Sequence, residues 1–149
     1  MTEDEIDSFM LEALKEARKA DRKGEIPIGA VIVKNGKIIS RSYNTREKSK
    51  NATAHAEILA ITKACKKLKN WRLIDCDIFV TVEPCLMCLG ALHNARIRTL
   101  YYGTENKGNG DIKAEELGIV QNHKLSVVGG IKLAECRELM TKFFKKQHN

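Results

Sequence analysis

The N-terminal part of the chain carries apolar residues at helical spacing. Between residues 6 and 20 they recur every three or four positions, at Ile6, Phe9, Met10, Ala13, Leu14, Ala17 and Ala20. This period places them on one face of an α-helix. Thr2 and Glu5 precede the run at the spacing of a capping box, and Gly24 follows it as a stop signal. The pattern predicts an amphipathic helix that ends before Gly24.

The next two segments have the pattern of a β-hairpin. IGAVIV (28–33) and KIISRSY (37–43) lie on either side of Asn35-Gly36. Asn-Gly suits the two left-handed positions of a tight hairpin turn. We therefore expect two adjacent antiparallel strands.

The rest of the chain alternates between helical and strand patterns. A helix is expected to begin near Thr53–Ala54, with Ile58, Leu59, Ile61, Ala64 and Leu68 facing inward. A buried strand (77–82), a helix (85–95), a strand (99–103), a short helix, a strand (125–130) and a final helix from Leu133 follow. This order predicts a three-layer α/β/α domain with a mixed sheet of about five strands. We expect one domain over residues 1–149.

Length and composition favour an ordinary globular protein. Of the 149 residues, 43% are hydrophobic and 30% are charged. No apolar run approaches the roughly 20 residues that a membrane span needs. The N-terminus, MTEDEIDSF, lacks the basic start and apolar stretch of a secretory signal. We therefore expect a cytoplasmic protein without a membrane partner.

That expected compartment bears on the five cysteines. A reducing cytoplasm disfavours disulfides, and only Cys85 and Cys88 form a close pair. The pair therefore favours metal binding or catalysis. Cys65, Cys76 and Cys136 lie in apolar surroundings, where we expect small core residues.

Basic residues are unevenly distributed along the chain. The net charge is +7, and five basic residues with no acid lie between Ile58 and Ile74, at Lys63, Lys66, Lys67, Lys69 and Arg72. The C-terminal segment adds Lys142, Lys145 and Lys146. Such asymmetry is typical of a phosphate-contacting face. A solvated helix face together with a frayed tail would give the same pattern.

Two short segments carry metal-binding side chains. They are His55-Ala56-Glu57 and Pro84-Cys85-Leu86-Met87-Cys88, and each opens a predicted helix. Cys85 and Cys88 then lie about one turn apart, where a helix N-terminus favours thiolate. With His55 they form the imidazole and thiolate set that zinc prefers. We expect His93 and His123 at the surface or behind the ligands, so that the fourth zinc position stays open, as in catalytic sites.

Glu57 is the predicted proton carrier. Zinc lowers the pKa of a bound water and makes it a usable nucleophile near neutral pH. Two residues after His55, the Glu57 carboxylate lies beside the metal without being a ligand. It can take the proton of the water and deliver it to a leaving amine. The sequence therefore predicts hydrolytic removal of an exocyclic amine.

The two metal-binding segments occur together in a known sequence signature. His-x-Glu followed about thirty residues later by Pro-Cys-x-x-Cys is the signature of zinc-dependent nucleobase deaminases. Within that cytidine deaminase superfamily, the chain resembles the bacterial tRNA-specific adenosine deaminase family nearly end to end. The resemblance is carried by residues 26–31, 53–57, 70–73 and 80–88, and by residues 135–139 and Phe143-Phe144 in the last helix.

This resemblance implies a cytidine-deaminase-like fold and conversion of the wobble adenosine of a tRNA anticodon to inosine. It implies a homodimer with one zinc ion per subunit. Asn44 matches a position that hydrogen-bonds the flipped base, and the last helix matches one that holds the anticodon stem-loop. The substrate-binding residues so implied are Asn44, Ala56, Pro84, Asn106, Phe144 and Lys145. An unpaired anticodon base is accessible to such a pocket, whereas a base within a duplex is not.

The chain departs from the family pattern at three places. Asn106 stands where an acidic residue is frequent, and the following loop from Lys107 to Asp111 looks shorter. Asn51 stands where an aspartate is common, and an amide would orient a ligand histidine less strongly than a carboxylate would.

Two other functions compete with this interpretation. A deaminase of free guanine, cytosine or cytidine would share the zinc site but would not need a basic face. A noncatalytic zinc-bound subunit of an editing heterodimer would have no use for Glu57.

Overall fold

The computed structural model describes residues 1–107, 114–117, 119–120 and 122–147. Its helices are α1 (Glu3–Arg22), α2 (Arg46–Ser49), α3 (Ala56–Leu68), α4 (Leu86–Asn94), α5 (Ala114–Leu117) and α6 (Leu133–Gln147). Its strands are β1 (Gly29–Lys34), β2 (Lys37–Tyr43), β3 (Cys76–Val82), β4 (Thr99–Thr104), β5 (Ile119–Val120), β6 (His123–Lys124) and β7 (Ser126–Val128).

Local signals at the N-terminal end are confirmed. Thr2 Oγ1 accepts the Glu5 backbone N–H at 3.1 Å, and Glu5 Oε1 accepts the Thr2 N–H at 3.1 Å, which completes the capping box of α1. Asn35 and Gly36 have φ values of 52° and 74°, as a tight turn between antiparallel β1 and β2 requires. Both signals depend on neighbouring residues only.

Five strands form one mixed sheet in the order β2-β1-β3-β4-β7. β1 is antiparallel to β2 and β3, whereas β3, β4 and β7 run parallel. This confirms the predicted mixed sheet. β5 and β6 form a separate two-stranded sheet that the sequence pattern did not predict.

Helices cover both faces of the sheet. Ile32, Ile78 and Val80 pack in one core with residues of α3 and α4, among them Ala60 and Leu89. The intervening strand residues Val31 and Phe79 pack on the other side with Met10 and Leu14 of α1 and Cys136 of α6. Because alternate strand residues point to opposite faces, β1 and β3 are buried on both, and the predicted three-layer α/β/α arrangement is confirmed.

Several predicted boundaries shift. α3 begins at Ala56 rather than near Thr53–Ala54, and β7 covers only Ser126–Val128 of the expected 125–130 strand. Gly130, two residues past the end of β7, has φ 84°, which an extended strand does not allow. Cys76 and Cys136 are buried as expected, whereas Cys65 is half-buried. Residues 108–111 of the loop expected to be short, Lys107 to Asp111, lie outside the described residues.

None of the described helices combines the length and the apolar character that crossing a membrane would require.

Candidate active site

The site forms at one edge of the sheet. β3 and β4 are parallel and end at Val82 and Thr104, so the residues that follow them emerge side by side. β1 and β2 are antiparallel, and β2 therefore returns to the same edge, where it is followed by Asn44. Helices α3 and α4 also begin there. His55 is the N-cap residue of α3, and Cys85 is the N-cap residue of α4.

Three ligand atoms converge at these two helix starts. The Nδ1 atom of His55 lies 3.6 Å from the sulfur of Cys85 and 3.6 Å from the sulfur of Cys88. The three donor atoms lie within 4.8 Å of one another. One imidazole and two sulfur ligands are a donor set that fits zinc. No further His, Cys, Asp or Glu of the described residues joins this group, so the protein leaves a coordination position open.

The two cysteine side chains shift each other's pKa in opposite directions. A hydrogen bond from Cys88 stabilises the Cys85 thiolate and, although burial opposes it, lowers the pKa of Cys85 to about 5. The same bond and burial raise the pKa of Cys88. Cys85 is therefore the more acidic of the two thiols, and a bound cation favours loss of the proton from both.

Glu57 lies beside the ligands in the first turn of α3. Its side chain is 3% exposed. Burial raises the pKa of Glu57 to about 7, and the nearby Cys85 charge adds to that rise. A carboxyl group with such a pKa exchanges a proton readily near neutral pH, as a general acid–base requires.

A cavity of about 560 Å³ opens next to these four residues. His55, Glu57 and Cys85 line it, so the ligands and the proton carrier face the same space. Four of the residues predicted to bind substrate line it too, namely Asn44, Ala56, Asn106 and Phe144. The volume falls within the range of about 300–1,000 Å³ that is usual for small-molecule pockets.

Asn44 is fixed in place by its own hydrogen bonds. Its side-chain Nδ2 donates to the Ile26 carbonyl at 3.2 Å, and its Oδ1 accepts the Arg46 N–H at 3.1 Å. The amide is 6% exposed. A fixed amide at the cavity wall is suited to orient a planar ligand.

The other predicted substrate residues lie elsewhere. Pro84 is buried behind Cys85, and Lys145 is exposed on α6; neither lines the cavity. Asn51 accepts hydrogen bonds from the backbone and hydroxyl of Thr53 at 3.0 and 2.9 Å. Its side-chain oxygen is thus used within its own turn and not on His55.

Of the two positions expected for His93, at the surface or behind the ligands, the surface position is wrong. Its ring is 0% exposed, and neither ring nitrogen has a hydrogen-bond partner among the described residues. Burial lowers the pKa of His93. His123 is half-buried, and its Nε2 lies 2.6 Å from the Ile97 carbonyl oxygen. Both histidines lie outside the His55 ligand group.

Sequence reasoning missed two buried carboxylates, of which Glu83 lines the cavity and Glu25 does not. Glu25 is 2% exposed, and its two oxygens accept the N–H groups of Glu47 at 3.1 Å and Lys48 at 2.7 Å. Glu83 is 1% exposed and lines the cavity. The sequence signal for Glu83 was its position, because a charged residue between a mostly apolar strand and Pro84-Cys85 is expected to be buried and then needs a hydrogen-bond partner.

The fold and this donor group define a zinc-dependent deaminase. Residues 3–104 match the family model of the cytidine and deoxycytidylate deaminase zinc-binding region.

Individual relatives indicate which group of zinc-dependent deaminases the chain is most similar to. The tRNA-specific adenosine deaminase of Streptococcus pyogenes serotype M1 is 46% identical over 141 residues, which cover 93% of this chain and 82% of that protein. A solved structure from work on A-to-I editing by tRNA:A34 deaminases at the wobble position is 41% identical, with a TM-score of 0.82 over 89% of this chain and 98% of that one. Guanine deaminase of Bacillus subtilis is 42% identical, with a TM-score of 0.64 over 74% of this chain and 68% of that one. The chain therefore belongs to the cytidine deaminase family, within the group of tRNA-specific adenosine deaminases.

Proposed function

We propose that this protein hydrolyses adenosine to inosine at the wobble position of a tRNA anticodon, as one domain over residues 1–149. The observation that carries the proposal is the grouping of His55, Cys85 and Cys88 around an open position, with buried Glu57 facing the same cavity. The likeness to tRNA-specific adenosine deaminases over 93% of the chain supports adenosine in tRNA as the substrate.

In this proposal His55, Cys85 and Cys88 hold one zinc ion. When bound, the ion supplies Lewis-acid activation of the water that attacks the base. Glu57 removes a proton from that water and delivers it to the exocyclic N6 amine, which leaves as ammonia. A pKa of about 7 suits both halves of this transfer.

The cavity walls orient the base. Asn44 and Asn106 both line the cavity and supply amide groups, and Ala56 allows the base to approach the ligands closely. Phe144 brings an aromatic ring from α6 to the rim and is 41% exposed, so a flanking nucleotide can stack on it. We retain Pro84 and Lys145 as proposed contacts, with Pro84 shaping the ligand loop and Lys145 reaching phosphate.

The basic face supports an RNA partner. Lys66, Lys67, Lys69 and Arg72 are exposed at and just past the C-terminal end of α3, the end away from the cavity, and the ion pairs of the described residues include none of them. Unpaired cations of this kind supply the salt-dependent attraction to phosphate. We place the enzyme in the cytoplasm, where its tRNA substrate is found.

We also propose a homodimer. Leu86 and Met87 follow the ligand Cys85 on α4, and they are 50% and 38% exposed. Exposed apolar side chains next to a functional site indicate a contact surface. Their removal from water in a second copy would stabilise the assembly, and the mass of the protein in solution tests this.

Deamination of an anticodon stem-loop RNA tests the main proposal. The zinc-loaded wild type should convert its wobble adenosine to inosine, detected by nucleoside analysis of the digested RNA. Glu57→Gln should bind the same RNA and retain zinc, yet lose about 10²- to 10⁴-fold in kcat, because the proton carrier is absent. Full turnover by this variant would show that another group moves the proton.

The guanine deaminase likeness supplies the competing substrate. Free guanine should be a poor substrate, and the rate on the stem-loop should fall as salt rises, because phosphate contacts are screened. Efficient, salt-independent turnover of guanine with no inosine formed in RNA would favour the small-molecule alternative.

A further inference from the structure

Glu83 lies between β3 and the ligand Cys85, and its carboxylate joins two distant segments. One oxygen, Oε1, accepts the Asn106 N–H at 3.4 Å, and the other, Oε2, accepts the Ala114 N–H at 3.0 Å. The Glu83 backbone N–H donates to the Thr104 carbonyl at 2.8 Å. One residue thus connects the ligand loop to both Asn106 and Ala114.

The carboxylate has an uncommon environment. Its side chain is 1% exposed, and the ion pairs of the described part of the chain do not include it. A buried carboxylate without a cation is costly unless N–H donors satisfy it. The two backbone N–H groups fill that role, and their positions are fixed in return.

The segment held by Glu83 is a cavity wall. Thr104, Glu105, Asn106 and Lys107 line the cavity opposite Asn44, and we refer to residues 104–107 as the 104–107 wall. Because Glu83 stands two residues before Cys85, its hydrogen bonds connect this wall to the loop that carries the metal ligands.

We propose that Glu83 is a positioning residue that sets substrate affinity by fixing the 104–107 wall against the ligand loop. This rests on the proposed function, because the wall is taken to contact the RNA base. Glu83 itself neither binds zinc nor transfers a proton.

Glu83→Gln tests the inference in the zinc-loaded full chain. The amide nitrogen of glutamine would face one of the two N–H donors, so one bond is lost and two donors oppose each other. With the stem-loop RNA, KM should rise by about 10-fold, the effect of one lost buried acceptor. The kcat should change by less than about 3-fold, and zinc content should remain at one per chain, because Glu57 and the ligands are unaltered.

Glu16→Gln is the matched control. Glu16 is 3% exposed on α1, pairs with Lys19 at 2.8 Å and Arg41 at 3.3 Å, and does not line the cavity. A general cost of neutralising a buried glutamate would appear in both variants. An increase in KM confined to Glu83→Gln supports the positioning role, and an equal increase in both would overturn it.

Amide hydrogen exchange provides a readout that needs no activity. In Glu83→Gln the amides of Asn106 and Ala114 should exchange faster, while those of β3 should not.

If the wild type binds the RNA without converting it, the proposed function fails, and the dissociation constant for that RNA replaces KM as the measure of affinity. Unchanged exchange, or faster exchange with unchanged affinity, overturns the inference. So does a loss of zinc and kcat at constant KM.

Ala114→Pro is the second variant should Glu83→Gln fail to fold. Proline is tolerated at the first helical position and removes only the N–H that donates to Oε2. Ala114 does not line the cavity. A higher KM in this variant would therefore come from the lost hydrogen bond to Glu83 and not from a lost substrate contact. An unchanged KM would contradict the inference.

Discussion

At the scale of single residues, the buried polar ring of His93 lowers the stability of the folded protein. His93 has a fully buried ring without a hydrogen-bond partner among the described residues, at a helix position that apolar side chains normally occupy. Its ring lies edge-on to His123 at a centroid distance of 6.0 Å. The ring packs well, whereas its nitrogens have at most a weak hydrogen bond to the backbone of His123 in the described part of the chain.

His93→Phe should stabilise the protein by about 1 kcal/mol at pH 7.5, because it removes an unsatisfied buried polar group and keeps the ring volume. It should also flatten the pH dependence. Burial places the pKa of folded His93 below its unfolded value of 6.5, so the unfolded state binds the proton first. Wild-type stability is therefore lost as pH falls through 6.5 towards the folded pKa.

Urea unfolding of both zinc-loaded proteins at pH 7.5 and pH 5.5 measures this effect. Zinc release at low pH is common to the two proteins, and the difference between their pH slopes isolates His93. Equal slopes would show that His93 remains equally protonated in the folded and unfolded states.

A residue of the site could be predicted from the sequence when its partners lie close to it along the chain. His55, Glu57, Cys85 and Cys88 follow from residue type and short spacing, since each pair is joined within one helix start. Glu83 and His93 do not. The partners of Glu83 lie 23 and 31 residues away, and only the folded sheet edge brings them together.

At the scale of elements, the position of α6 depends on one glycine of β4. A Cβ on Gly103 would lie 2.6 Å from the Thr81 carbonyl oxygen and would overlap the side chain of Cys136 on α6. This close approach lets α6 carry Arg137, Met140 and Phe144 to the cavity rim. α6 therefore packs where β4 has no side chain.

Gly103→Ala should destabilise the protein by about 1–3 kcal/mol, because the added methyl group overpacks the contact between β4 and α6. Thermal unfolding monitored by circular dichroism measures the change. Gly90→Ala is the control: a Cβ there meets nothing within 4 Å, and alanine favours a helix interior by up to about 1 kcal/mol over glycine. Equal stability of Gly103→Ala and wild type would mean that α6 shifts freely.

The sequence pattern predicted long and locally determined elements well. The capping box of α1 and the Asn35-Gly36 hairpin are specified by adjacent residues. β5, β6 and β7 are too short to show an alternating apolar pattern. β7 pairs with β4, and β5 pairs with β6, so their formation depends on partners that a local pattern does not reveal. The first turns of α3 and α4 were placed one to three residues early, because the ligand residues take extended N-cap conformations.

At the scale of the whole molecule, the exposed apolar pair next to the metal ligands is separate from the basic residues of α3. Leu86 and Met87 are exposed at the start of α4, whereas Lys66, Lys67 and Arg72 lie near the far end of α3. A partner subunit at the first region leaves the second free for RNA. Dimerisation and RNA binding are therefore compatible.

Leu86→Glu should convert the proposed dimer to a monomer, because a charge would be buried in an apolar contact. Sedimentation equilibrium should then give one chain mass in place of two. Leu11→Glu is the matched control, since Leu11 is 39% exposed on α1, on the other side of the sheet. A wild-type protein that sediments as a monomer would contradict the dimer.

The metal ligands stand at the starts of two separate helices, which gives zinc a second consequence. An ion bound by His55, Cys85 and Cys88 cross-links residue 55 to residues 85 and 88. By mass action, free zinc at 100 times its dissociation constant adds about 2.7 kcal/mol to the stability of the folded state. The amount of folded protein thus follows the zinc supply of the cell, so zinc starvation would expose this enzyme to proteolysis as well as silence it.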